Sequence, residues 1–195
     1  MSGIIHTNLR LENNENVVKQ VMGASELISQ FISAIASKFQ EVYVYSVSGN
    51  HSRVFQDAKL NAKGENLDTL IPFYAKARLS KFDNVMFVDN VIDESIVSFV
   101  CRKQIVYAVH GDKDNISSVV HNLTLMSGCK PNIIYMGHLH TNSLRSIYDT
   151  KVIQSGCICG NDAYCMDKRL RGRPEQAVSV ITDSGLDCIY DIKLN

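Results

Sequence analysis

Ile105-Val106-Tyr107-Ala108-Val109-His110-Gly111-Asp112 is the stretch on which the reading of the fold turns. Its first five residues are apolar and rich in β-branched and aromatic side chains, which predicts a short buried strand. The strand then breaks at a histidine followed by glycine and aspartate. The same event occurs twice more. Val42-Tyr43-Val44-Tyr45-Ser46-Val47 runs into Ser48-Gly49-Asn50-His51, and Ile133-Ile134-Tyr135-Met136 runs into Gly137-His138-Leu139-His140. In open α/β sheets, sites form in the crevice outside the carboxyl ends of the strands. Three turns of this kind therefore predict one cluster of donors: Asn50, His51, His110, His138 and His140.

The segments between these strands fit an α/β class. From 16 to 39, Val17, Val21, Ala24, Ile28, Phe31, Ile35 and Phe39 recur at spacings of three and four, one stripe of an amphipathic helix docked on a sheet. A second helix is expected over 67–79, starting late or kinked at Pro72. Strands are expected at 85–88 and 96–101. Asp114 or Asn115 is placed to cap a helix carrying Ile116, Val119, Val120 and Leu123 on one face. The remainder favours antiparallel pairs: 144–148 with 151–154, and 177–182 with 186–192 around Asp183-Ser184-Gly185. No repeat or linker divides the 195 residues, so a single domain over 1–195 is the expectation.

Bulk properties exclude more than they select. Hydrophobic residues make up 45% and charged residues 21%, an ordinary globular composition, and the formal net charge is zero. A nucleic-acid surface, if present, has to be local. The six cysteines are irregularly spaced and no signal-peptide pattern opens the sequence, so reduced thiols and a cytoplasmic location are expected. Cys157-Ile158-Cys159 with Cys165 nearby lacks the usual two-residue gap of a zinc knuckle, and no histidine lies close in sequence. No apolar stretch reaches the roughly 20 residues that span a bilayer, and no membrane partner is expected.

Four of the six histidines lie in the three turns. Neutral imidazoles and a carboxamide oxygen suit a borderline divalent metal such as Mn, Fe or Zn. His6 and His121 lie elsewhere and carry no such reading. Any one turn histidine alone reads as structural; the ordered set is the signal.

Asn-His after a strand, then His-Gly-Asp, then Gly-His-x-His, in this order, resembles the calcineurin-like metallophosphoesterase family. The similarity is greatest with DNA-repair-exonuclease-like members, including those carried by bacteriophages, and it covers essentially the whole chain. The resemblance implies a two-sheet sandwich flanked by helices. It implies that Asn50, His110 and His138 bind one metal and that His140 binds the other. His51 would face the scissile phosphate, stabilising the transition state or protonating the leaving oxygen, although a structural hydrogen bond to its own turn is the open alternative. Manganese is the expected metal, with Fe, Zn or Mg as alternatives, and the family's site is dinuclear. Two ions about 3.5–4 Å apart would activate a water for in-line attack on a phosphodiester.

The pattern also departs from the family. The family's opening Asp-x-His and Gly-Asp motifs are not in the sequence, and Met1-Ser2-Gly3-Ile4-Ile5-His6 resembles the segment just after them. The expected fold is therefore incomplete at its N-terminus. His140 alone cannot hold its ion, and Asn50, His110 and His138 are expected to hold one ion weakly, because without an anionic ligand that site loses much of its Coulombic attraction for a dication. Asp112 reads as a loop or helix-capping residue rather than as a replacement ligand. An unpaired sheet edge would invite a homodimer or a partner that supplies strands.

Lys168-Arg169-Leu170-Arg171-Gly172-Arg173 places four cations in six residues. Arg169, Arg171 and Arg173 read either as a clamp on a phosphate backbone, DNA included, or as a solvated loop. Three functions stay open: a nuclease-like phosphodiesterase, a catalytically impaired remnant acting as a binding or structural subunit, and a phosphomonoesterase or small-molecule phosphodiesterase.

Overall fold

Asn16 is extended and its side-chain oxygen accepts a 3.0 Å hydrogen bond from the Lys19 amide, which opens helix α1 (Val17–Ala36). In the computed structural model, which describes Ile5, residues 13–161, Cys165, Met166, Arg169 and residues 172–194, this helix begins the first of two compact units. The units are Met1–Asn90 and Val91–Asn195.

In the N-terminal unit α1 packs against α2 (Leu70–Arg78), and β1 (Val42–Val44) pairs in parallel with β2 (Val85–Phe87). The buried stripe of α1 differs from the apolar one in the sequence. It consists of Val21, Ser25, Ser29, Ile32 and Ala36, while Phe31 and Phe39 are 61% and 63% exposed. Two serines can occupy that stripe because each hydroxyl is satisfied within the helix. Ser25 Oγ donates to the Val21 carbonyl and Ser29 Oγ to the Ser25 carbonyl, both at 2.7 Å. The helix also stops at Ala36, where Asn84 Nδ2 donates to the carbonyls of Ala36 and Phe39 at 2.8 and 2.9 Å. Pro72 delays α2 as expected. A single 3-10 turn, Leu67–Thr69, precedes it, and the proline stands in the first turn, where its missing N–H would have had no helical partner.

The C-terminal unit is built on a five-stranded sheet of order β3-β4-β5-β7-β6. Its strands are β3 (Ile96–Cys101), β4 (Gln104–Val109), β5 (Ile133–Met136), β6 (Ser143–Ile147) and β7 (Thr150–Gln154). The central three, β4, β5 and β7, are parallel, and the outer two return antiparallel. Period-two alternation divides the core into two layers. Tyr107, Val109, Ile134, Met136 and Val152 face one way and meet Val119, Val120 and Leu123 of helix α3 (Val119–Ser127). Val106, Ile133 and Ile153 face the other way, against Ala177, Ile181, Leu186 and Ile189. Those four belong to the antiparallel hairpin β8 (Glu175–Thr182) and β9 (Gly185–Lys193). A helix on one face and a second sheet on the other give the α/β, sheet-on-sheet arrangement expected from the sequence.

Helix α3 starts later than its sequence suggests. Ser118 precedes it, and Asn115 organises the turn before it by accepting from the Ser117 amide and hydroxyl at 2.9 and 2.7 Å. The N-cap position thus falls on Ser118 rather than on Asp114 or Asn115. No helix among the described residues is long and apolar enough to cross a membrane.

Ile134 is fully buried at the centre of this unit. Ile134→Ala should lower unfolding free energy by about 2–5 kcal/mol, read as an earlier urea midpoint with an unchanged denaturant slope.

Candidate functional site

Because β4 and β5 are neighbouring parallel strands, with Val109 opposite Met136, their chains leave the sheet at the same end. His110 follows one and Gly137-His138 the other. The ladder extends one step beyond the strands, with the Gly137 amide donating to the His110 carbonyl at 3.0 Å. Above it the His110 and His138 rings stand edge to face, centroids 5.3 Å apart and planes at 71°. Gly111 makes the approach possible. Its φ is +105°, and a Cβ there would meet His138 Cβ and Met136 Cε, each at 3.4 Å. His138 and His140 themselves hold φ values of +67° and +57°, the left-handed region that side chains seldom occupy.

Beyond His140 the chain is tied down through Asn142. Its amide donates to Glu175 Oε1, its Nδ2 donates to Asp191 Oδ1 at 2.7 Å, and its Oδ1 accepts from the Gly156 amide at 2.6 Å. Glu175 is 5% exposed. Its second oxygen takes Lys193 Nζ, which also pairs with Asp191 at 2.9 Å. The Lys193 hydrogen bond first, and the Asn142 amide next, hold the Glu175 carboxyl below the usual carboxylate range. His140 lies near Cys157. That thiol is pushed upward by its hydrogen bond with Cys159 and by burial, with the His140 imidazole acting in the opposite direction.

In the N-terminal unit, Asn50 and His51 lie in the 3-10 turn Asn50–Ser52, a few residues past β1, and both are half-buried. Three side chains pin that turn. Gly49 N–H donates to Asp68 Oδ2 at 2.8 Å, and Ser52 Oγ donates to the Gly49 carbonyl at 2.8 Å and contacts Asn66 Oδ1 at 3.3 Å. Asp68 Oδ1 is buried with no hydrogen-bond partner among the described residues. Sequence reading passed over Asp68 and Asn66 because they lie 14 to 19 residues from the residues they hold. It passed over Glu175 for the same reason, at 33 residues from Asn142. An acidic residue opening a strand (Glu175 in β8) was the one local anomaly available.

The structure thus brings the His110 and His138 rings together edge to face, leaves His140 two residues further along the same turn, and holds Asn50 and His51 in the other unit. Arg169 and Arg173 are exposed, and Arg171 lies outside the described residues. Between them, Gly172 passes beside the histidine turn: a Cβ built on it would stand 4.0 Å from the His140 carbonyl oxygen.

Two imidazoles sharing one ion, with metal–nitrogen bonds near 2.1 Å and a tetrahedral angle, place their ring centroids about 5 Å apart. The His110–His138 separation of 5.3 Å fits two legs of such a site. Among the described residues no group of three or more His, Cys, Asp or Glu side chains is arranged to hold a metal ion. That holds for the Cys157-Ile158-Cys159 stretch as well, and His140 by itself is one ligand.

No family model matches the chain and no curated protein does. Several solved structures share part of its course. Vps29 from Entamoeba histolytica complexed with zinc is 12% identical, with a TM-score of 0.45 over 85% of this chain and 88% of that one. A novel archaeal phosphodiesterase is 13% identical, with a TM-score of 0.44 over 84% and 74%. A predicted phosphoesterase from Streptococcus pneumoniae is 10% identical, with a TM-score of 0.41 over 87% and 91%.

The lowered Glu175 carboxyl also gives a pH dependence. A carboxylate whose folded value lies below its ordinary 4.5 contributes stability that is fully present above that pH and is lost as pH falls through the lowered value. In thermal melts from pH 7 to pH 3, the wild type should therefore lose more Tm below pH 4.5 than Glu175→Gln does. Parallel curves would remove Glu175 from the acid response.

Proposed function

We propose that this chain is a metal-dependent phosphoesterase of the calcineurin-like type, acting on phosphodiesters and in particular on DNA. The observation that carries the reading is the His110–His138 pair, with rings 5.3 Å apart beyond the carboxyl ends of two adjacent parallel strands. His110 and His138 would hold the ion; manganese is the metal that the family resemblance implies, with zinc and iron equally suited to imidazole donors. When bound, such an ion supplies Lewis acidity toward a phosphoryl oxygen and lowers the pKa of a nearby water. The family resemblance assigns Asn50 to the same ion, His140 to a second one, and His51 to donating a proton toward the leaving oxygen.

The remaining chemistry belongs to the chain. Val109 and Met136, the strand residues just before the two turns, are buried in the apolar core, so each turn springs from a packed strand end. Arg169 and Arg173 lie on either side of Gly172, which passes beside the His140 carbonyl. In the clamp reading they bind backbone phosphates of a long substrate and do little for a small one.

A second reading has its own support. No cluster of three or more His, Cys, Asp or Glu ligands stands among the described residues. Two histidines with neither a third such ligand nor a carboxylate beside them give a dication few bonds and no added Coulombic attraction. In that reading the chain keeps the scaffold, with one weakly held ion or none, and works through contacts with a second copy or another protein.

Hydrolysis of bis(p-nitrophenyl) phosphate by the purified chain with Mn²⁺ decides between them. The enzyme reading expects His138→Ala to reduce kcat/KM by about 100-fold or more, since even residues that merely support metal ligands are worth 10–100-fold. No wild-type turnover, or turnover indifferent to His138→Ala, favours the scaffold. For the clamp, Arg169→Gln with Arg173→Gln should weaken cleavage of single-stranded DNA and reduce its salt slope by about one to two, while sparing the small ester. Equal losses on both substrates would sink the clamp.

A further inference from the structure

Residues 137–140 hold the least relaxed backbone of the candidate site. His138 and His140 both have positive φ, at +67° and +57°. Non-glycine residues in that region are strained and persist where the surroundings over-determine them. The bonds closest to the turn are few: Gly137 N–H to the His110 carbonyl, Leu139 N–H to the Gly137 carbonyl, and Thr141 Oγ1 to the Leu139 carbonyl. None of these fixes the chain leaving His140.

That role falls on Asn142, whose three polar groups all go to other segments: amide to Glu175, Nδ2 to Asp191, Oδ1 to Gly156. Glu175 is the hub. It is a buried carboxylate at the first position of β8, and such a group is costly unless every oxygen is used. One oxygen holds the loop amide and the other holds Lys193. The far wall is equally closed. Gly156 has no room for a side chain, since a Cβ there would stand 3.0 Å from the Glu175 carbonyl oxygen, and Gln176 Nε2 donates to the Gly156 carbonyl at 2.6 Å. A buried charge whose ligands are a loop amide and the end of β9 serves the loop more than the core.

We propose that Glu175 is a positioning residue for the His138–His140 turn: through Asn142 it fixes the left-handed backbone that aims the two imidazoles, with Asp191 and Lys193 bracing it from behind. The proposal rests on the reading of His138 as a metal ligand, and it gives that reading a support that sequence spacing does not reveal.

The experiment uses the full chain as wild type, Glu175→Ala, Glu175→Gln, Asn142→Ala and His138→Ala. Two quantities are measured: amide hydrogen exchange across residues 133–142, and affinity for Zn²⁺ alone by calorimetry. Glu175→Ala should speed exchange in 137–142 at least about 10-fold while leaving 133–136 unchanged. Zn²⁺ affinity should fall about 10–100-fold, as for other residues that orient a ligand. Glu175→Gln keeps an oxygen for the Asn142 amide and should restore most of both effects. Asn142→Ala keeps its amide on Glu175 and removes only the ties to Asp191 and Gly156, so it should loosen 137–142 less than Glu175→Ala does. Glu175→Asp, too short to hold the Asn142 amide and Lys193 together, takes the place of Glu175→Ala if that variant does not fold.

Unchanged exchange in 137–142 for both Glu175→Ala and Asn142→Ala overturns the brace, whatever the metal does. Equal loosening of 133–136 and 137–142 overturns it too, because Glu175 would then support the whole sheet. Looser exchange with undiminished, His138-dependent Zn²⁺ binding shows a brace that does not position the ligand. Absence of any His138-dependent Zn²⁺ binding in the wild type overturns the ligand reading itself, and the exchange data separate that failure from the others.

Discussion

The parallel registration of β4 with β5, Val106 opposite Ile133 through Val109 opposite Met136, is the constraint from which the rest of the candidate site follows. Parallel neighbours must both end on the same edge, so whatever follows them in sequence is brought together without further design. The register is itself dictated by burial. Val106 and Ile133 face the β8–β9 hairpin, and Tyr107, Ile134 and Met136 face α3. A slip of one residue would exchange every one of these side chains between the two layers. Two adjacent histidine turns are thus the product of apolar packing beneath them.

That origin explains how much was legible beforehand. The strands that lead into His110 and His138 are short, β-branched and punctuated by glycine, and the structure forms them at 104–109 and 133–136, as the sequence suggests. The hairpins were equally plain, because Asp183-Ser184-Gly185 is a local turn signal. Helix α1 was legible as a helix and misleading as to its face. Its buried serines carry their own hydrogen-bond acceptors one turn back, which no hydropathy count registers, and Phe31 is left on the outside.

The supports of the two turns were illegible for a different reason. Asp68 under the Asn50 turn and Glu175 under the His138 turn act through backbone amides, which every residue possesses, so no pairing of side-chain types betrays them. A carboxylate is well suited to the task. It accepts only, it takes two donors at once, and burial strengthens each bond provided both are present. Glu175 uses both of its oxygens in this way, while Asp68 holds the Gly49 amide with one oxygen and its other has no partner among the described residues.

The order of synthesis gives the Asn142 contacts a further meaning. Asn142 leaves the ribosome 33 residues before Glu175 and 49 before Asp191. At translation rates of about 5–20 residues per second, the histidine turn exists for some 2–10 seconds with its strands present and its anchors not yet made. During that interval the far end of the left-handed backbone at His138 and His140 is held by Gly156 and the β6–β7 pairing alone, without its carboxylate anchors. The two imidazoles are then free to sample other arrangements. Maturation of the site is therefore a late event in the life of the chain, set by the arrival of β9.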